Sequence, residues 1–385
     1  MTVPQASVNQ LEAEFRVTDS AFSALFRLFM LGFLAGAVFG GRLSDRFGKL
    51  PVIALGCVMM SVGMLISSQA HSFSVIPIAA MLAGAGGALA EVVSMALVSD
   101  LYHGAARTVM MNWTQLGFSA GAFIQPIVYA RMLSVGVGWR SGYAAAGALG
   151  LVCVLLVAGA SVADRRRARP AEQQAGLSWW AIIRDRFVLR LAVCLMLYVG
   201  AEIGLSSWVA AYMAKDLGSS APVASASVAA FWIGIGVGRL VAVRLSRRLS
   251  DHTLICWSLG LGAALQAALL LMHLPQAALL VTFAAGVALG PAWPTIVSRA
   301  SGAFPANTGA VIGIVAAFGC LGAAIFPSVV GQASDVIGLR YALWICVVAL
   351  VIGLVIANAG WGEEPSRLAI DGELEPTGEL VCVDD

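Results

Sequence analysis

Apolar residues run along this chain in blocks of about twenty, separated by short polar stretches instead of alternating with them. That block length matches the roughly 20 residues a helix needs to cross the hydrocarbon core of a bilayer. Read in windows of about 19 residues, the blocks predict helices near 21–40, 51–68, 75–98, 109–132 and 142–161. A polar stretch from Asp164 to Arg186 follows, and then spans near 187–212, 224–242, 253–272, 277–298, 308–330 and 340–361. The total is eleven. Beyond them, Gly362 to Asp385 carries eight acids against the single Arg367 and few apolar residues, the composition of a disordered tail.

Composition turns this pattern into a class. Of 385 residues, 59% are hydrophobic and only 11% charged, with a mean hydropathy of +0.87, whereas a water-soluble domain carries about 25% charged residues. This excludes a soluble enzyme domain, intrinsic disorder as the main state, and a nucleic-acid-binding module. Six of the seven cysteines, Cys57, Cys153, Cys194, Cys256, Cys320 and Cys346, lie inside apolar runs, so no disulfide framework is indicated. The polar stretch from Met1 to Asp19 has no signal-peptide pattern.

Net charge is only +2, but its placement orients the chain, because Lys and Arg accumulate in cytoplasmic loops. With the loop at 41–50 inside, seventeen of the 23 basic residues are cytoplasmic, including Arg42, Arg46, Lys49, Arg107, Arg239, Arg244 and Arg247. The outside keeps Arg16, Arg131, Arg140, Lys215 and Arg340. The expected protein is multi-pass in a plasma membrane of the bacterial inner-membrane type, with its C-terminus cytoplasmic.

An internal repeat sets the architecture. Shifted by 202 residues, Ser23, Ala24, Phe29, Gly32, Gly36, Arg42, Leu43, Ser44, Arg46 and Ile53 fall on Ser225, Ala226, Phe231, Gly234, Gly238, Arg244, Leu245, Ser246, Arg248 and Ile255. Both copies keep one membrane orientation, so the repeat is parallel, about an axis along the membrane normal. The same shift places the partner of the 187–212 helix mostly upstream of Met1, so the expected fold is all-α with 11 of 12 helices present. The expected division is a bundle at 1–163, a cytoplasmic central loop at 164–186, a second bundle at 187–361 and the acidic tail at 362–385.

Gly41, Arg42, Leu43, Ser44, Asp45, Arg46, Phe47, Gly48 and Lys49 form a basic loop punctuated by glycines between two spans. Together with the repeat and the long central loop, it resembles the signature between the second and third helices of the major facilitator superfamily; Leu50 stands where a second basic residue is common. The resemblance implies a secondary transporter that works by alternating access, with Gly41, Asp45, Arg46, Gly48 and Lys49 as its cytoplasmic gating motif. It also implies that Asp45 contacts the helix starting near Thr308.

Carboxylates near a bilayer midplane cost about 2.5 to 3.5 kcal/mol on insertion scales and mark function. Glu91 and Glu202 are two such residues. In the family scheme they fall on the fourth and seventh helices, which line the central cavity, and both are candidates for proton coupling. The stretch from Tyr198 to Met213, with Gly84, Gly86 and Glu91, resembles the fucose, galactose and glucose proton symporters of that superfamily; Met95 occupies the place where that group suggests an Asn. Sugar rings stack on aromatic faces and bond to amides and carboxylates, which makes Trp208, Tyr212, Trp232 and Trp293 binding candidates, along with Asn112, Gln115 and Gln125. By the 202 shift, Trp293 takes the place of Glu91. Each of these residues has an alternative role in helix packing or interfacial anchoring.

His71, His103, His252 and His273 are scattered without metal spacing, and no nucleophile with a base or phosphate loop is present. The expectation is therefore no enzyme, no metal and no cofactor, with a proton or ion gradient as the drive. The chain is expected to act as a monomer in the lipid bilayer, on a small polar solute, a sugar, with no nucleic-acid partner. Two alternatives stand beside this: an exporter of drug-like or amphipathic compounds, and a non-transporting sensor or truncated fragment.

Overall fold

The computed structural model describes Leu11 and residues 14–16, 19–165 and 178–359. The acidic tail and most of the central connector lie outside these residues, as does the helix expected to precede Met1. Among the described residues every regular element is helical. The first group is α1 (Asp19–Phe47), α2 (Lys49–Ser68), α3 (Val75–Leu101), α4 (Gly104–Ser134) and α5 (Trp139–Arg165). A short α6 (Trp179–Arg184) follows, lying within the expected connector. The second group is α7 (Arg186–Lys215), α8 (Ala221–Leu245), α9 (Asp251–Leu271), α10 (Pro275–Leu289), α11 (Ala292–Gly302), α12 (Thr308–Ile337), α13 (Leu339–Ala342) and α14 (Trp344–Ala359).

Among the described residues, ten segments are long and apolar enough to cross a bilayer. The eleventh expected span is α4, 31 residues long, in which Arg107, Asn112, Gln115, Gln125 and Arg131 dilute the apolar content. Several boundaries extend past expectation for a shared reason: α1 runs on to Phe47, so that 41–47 of the expected loop is helical, and α12 runs on to Ile337. A hydropathy window misses polar terminal turns, so α4 starts at Gly104 and α5 at Trp139, each a few residues early. The span expected at 277–298 is broken at Gly290 and Pro291, where proline cannot donate a backbone hydrogen bond, so α10 ends and α11 begins. At the start of α7, Asp185 caps the helix by accepting from the amides of Phe187 at 2.9 Å and Val188 at 3.1 Å.

The repeat read from sequence recurs as repeated contacts. In the crossing of α1 with α3, a Cβ on Gly32 or Gly36 would collide with the carbonyls of Met81 and Ala85. In the crossing of α8 with α10, Gly234 and Gly238 meet the carbonyls of Phe283 and Val287 in the same way. Each of these four residues lies 202 positions after its counterpart, so the small residues let both helix pairs approach to backbone contact. Away from the basic loop, Arg140 donates to the carbonyl of Ala70 at 2.8 Å, and Arg340 donates to that of Leu270 at 3.2 Å.

Helices α1, α2, α3 and α5 pack on one another, as do α7, α8, α9, α10, α12 and α14. The two groups meet along two seams, α1 on α12 and α4 on α8. These seams frame the interior and position the residues considered next.

Candidate functional site

Two layers of polar contacts cross between the helix groups. The outer layer lies at the face bearing the basic loop. There Gly48 has φ of 89°, a left-handed conformation that suits glycine, and it turns the chain from α1 into α2. This turn leaves Asp45 in the last turn of α1, facing the start of α12. Its carboxylate accepts from the backbone amides of Gly309 at 3.1 Å and Ala310 at 2.8 Å. The first amides of a helix have no partner within the helix and carry its positive dipole end, so a carboxylate satisfies both needs. Lys49 pairs with Asp45 and lies 3.7 Å from Asp100, and Asp100 accepts from the Thr308 hydroxyl at 2.7 Å. Gly41 abuts the Gly309 carbonyl so closely that any Cβ would collide with it. Of the five motif residues, Arg46 takes no part in this latch; it is exposed, with its guanidinium over the Phe47 ring.

A second set of contacts at the same face was not anticipated. Asp251, the first residue of α9, accepts from the Thr108 hydroxyl of α4 at 2.8 Å. Thr108 also bonds to Ser298 at 2.7 Å, and Arg107 donates to Ser298 at 3.2 Å. Beside them Ser99 and Ser301, which are 202 residues apart, bond to each other at 2.9 Å. The signal was present in the sequence, since a shift of 202 carries Lys49 onto Asp251.

The inner layer holds the two carboxylates. Glu91 is half-buried on α3 and accepts from the side-chain amide of Gln115 on α4 at 3.2 Å. The backbone carbonyl of Gln115 accepts at 2.8 Å from the guanidinium of Arg239 on α8, which also bonds to Ser119. Glu202 is buried on α7 and accepts from Tyr198, one turn earlier, at 3.0 Å. Glu91 is linked to Arg239 through Gln115, and Glu202 lies on α7, which packs against the helix that bears Arg239. Arg239 holds a place that the sequence reading did not foresee. Its position at the end of a span suggested a cytoplasmic surface residue, but it is only 5% exposed and faces α4.

The remaining candidates divide by what their polar atoms do. Asn112 is fully buried and donates to the Thr108 carbonyl at 2.8 Å, while its side-chain oxygen has no partner among the described residues. Trp293 on α11 is half-buried beside Gly319 of α12, and its indole N–H is also without a partner. The Gln125 amide nitrogen is buried and equally free. Trp232 packs edge-on to Phe231, ring centroids 5.8 Å apart. Trp208 and Tyr212 have partners within the packing. Trp208 donates to the Pro327 carbonyl at 2.9 Å, and Tyr212, fully buried, donates to that of Leu269 at 3.1 Å. The structure therefore brings Glu91, Gln115 and Arg239 into one connected set, leaves Glu202 on its own bond within α7, and sets Trp208 and Tyr212 apart as braces of α7.

Among known proteins, a family model described as Major Facilitator Superfamily matches residues 1–280 and 191–378. Protein TsgA of Salmonella schwarzengrund is 26% identical over 225 residues, 58% of this chain and 56% of TsgA. The chain thus spans about half the length of the curated relatives it matches. The solved structure of the transporter FucP in an outward conformation superposes with a TM-score of 0.78 at 16% identity, covering 93% of this chain and 94% of that one. FucP is the fucose:proton symporter of Escherichia coli. The proton:xylose symporter XylE, bound to 6-bromo-6-deoxy-D-glucose, superposes with a TM-score of 0.74 at 16% identity, over 95% of this chain and 92% of XylE. At these identities the two structures speak for the fold.

Proposed function

Since the chain belongs to the Major Facilitator Superfamily, we propose that it carries a small polar solute, a sugar, across the membrane by alternating access, in symport with a proton. The observation that carries this reading is the inner layer, where Glu91 and Glu202 are each held inside the protein by a single neutral hydrogen bond, to Gln115 and Tyr198. A carboxylate held this way inside a membrane protein is suited to taking up and releasing a proton. Asn112, Gln115, Gln125, Trp232 and Trp293 supply the mixture of amides and aromatic faces that a sugar needs. In this reading the basic face is cytoplasmic. The bonds of Asp45 and Asp251 then close that side, and the cavity opens outward.

Reconstitution into proteoliposomes under an acid-outside gradient tests the proposal with a panel of labelled pentoses and hexoses. Accumulation of at least one sugar, lost in Glu91→Gln while the variant still inserts, is the expected result. Sugar uptake that is equal in Glu91→Gln would remove the role of Glu91. Outward movement of amphipathic dyes in energised vesicles, with no sugar uptake, would replace the symporter with an exporter.

A further inference from the structure

Arg239 is a buried guanidinium with no carboxylate at ion-pair distance among the described residues. It keeps its charge in any protein setting, and buried charges ordinarily take an opposite charge as partner. Here the partners are neutral and both sit across the seam on α4: the Gln115 carbonyl at 2.8 Å and the Ser119 hydroxyl. Its Nε is buried without any acceptor. A carboxylate would hold such a cation more strongly than a carbonyl and a hydroxyl do.

Two carboxylates lie on the elements around it. Of the elements packed on α8, α7 presents Glu202 and Tyr198, α4 presents Gln115 and Ser119, and α10 carries no ionisable side chain. Glu91 of α3 is joined to the same set through Gln115, whose side chain bonds to Glu91 while its backbone bonds to Arg239. The cation is thus bonded to the seam directly and linked to Glu91 through Gln115, with Glu202 on the adjoining α7.

We propose that Arg239 is a positioning residue that ties the charge of the central carboxylates to the α4/α8 seam. It pins the seam through Gln115 and Ser119 while the carboxylates are neutral, and it is drawn off when Glu202 or Glu91 is ionised. The proposal rests on the alternating-access reading.

The test uses the full chain in lipid nanodiscs, with the native cysteines replaced and spin labels on Ala105→Cys and Arg247→Cys, two exposed positions where α4 begins and just beyond α8. Distances between the labels report seam opening without any substrate. Arg239→Gln is expected to raise the ratio of open to closed seams by about tenfold, and Arg239→Lys by less. Ser119→Ala keeps the charge and removes one acceptor, so it should open the seam slightly, and it carries the test should Arg239→Gln fold poorly. Glu202→Gln and Glu91→Gln mimic neutral carboxylates and should shift the ratio the opposite way, toward closed.

An unchanged ratio in both Arg239→Gln and Ser119→Ala overturns the role of Arg239, as does a shift of the carboxylate variants in the same direction as Arg239→Gln. Those results leave alternating access standing if the wild type itself shows two seam distances. A single distance in the wild type and in every variant would instead remove alternation at this seam, and the proposal with it.

Discussion

The two seams that join the helix groups are related by the internal repeat yet built from different chemistry. In the α1/α12 seam, Gly41 touches the Gly309 backbone, and the Asp45 carboxylate sits on the first amides of α12. The α4/α8 seam instead has Arg239 on a carbonyl and a hydroxyl, with Asp251 on Thr108 at its basic-face end. In the first seam the charged group meets a helix dipole that remains fixed whatever happens in the interior. In the second the charged group is linked through Gln115 to one of the two carboxylates whose state is proposed to change. The difference suggests that the first seam acts as a plain latch and the second as the one that responds to the site.

The harshest way to break this comparison is steric. Gly41→Leu drives a side chain into the Gly309 carbonyl, which is backbone and has no rotamer to give. The α1/α12 seam should then fail to close, and uptake in proteoliposomes is expected to fall by about a hundredfold or more, in line with the several kcal/mol that overpacking can cost. Uptake within twofold of wild type would mean that the contact is not needed for the cycle. Asp45→Asn is milder because the amide oxygen still accepts while the charge is lost. Hydrogen bonds to a charged group contribute about 1.5 to 3 kcal/mol, so a fall of about tenfold is expected. Asp251→Asn replaces a single bond, to Thr108, and should cost less, about threefold. If Asp251→Asn proves as damaging as Asp45→Asn, the two seams are equal latches and the contrast drawn above is wrong.

How much of this was legible in the sequence depends on whether a feature repeats. Spans, orientation of the repeat and the glycine crossings at Gly32, Gly36, Gly234 and Gly238 follow from periodicity and the 202 shift, both local properties of the chain. The pairing of Glu202 with Tyr198 was within reach as well, since residues four apart share a helix face. Contacts between helices distant in sequence were not. Nothing in the neighbourhood of Gln115 announces that its side chain meets Glu91 and its backbone meets Arg239, because that depends on how three helices cross. The burial of Arg239, which the sequence reading placed only on the cytoplasmic side, was hidden for a related reason. Charge-based topology assumes that arginines near span ends reach water, and α8 turns this one toward α4 instead. Trp208 and Tyr212 sit on a cavity helix in the expected scheme, but a helix has several faces, and theirs meets α12 and α9.

The smallest expected effect lies at the opposite face, where the repeat is again unequal. Arg140 braces the loop carbonyl of Ala70 and Arg340 that of Leu270 in the last turn of α9, but of the two only Arg140 also pairs with a carboxylate among the described residues, Glu14, at 2.7 Å. Trp139 adds its indole N–H to Glu14 at 2.7 Å. The Arg140 hydrogen bond, followed by that from Trp139, holds the Glu14 carboxyl below the usual carboxylate range. A group whose pKa falls on folding contributes stability above its unfolded value, about 4.3 for Glu, and loses it as the pH drops through the lower folded value. Thermal unfolding of Glu14→Gln should therefore match wild type at acid pH and lie slightly below it at neutral pH, because an exposed pair contributes at most about 1 kcal/mol. An identical midpoint at neutral pH would show that the carbonyl bond of Arg140 holds this face unaided, as that of Arg340 does in the other half.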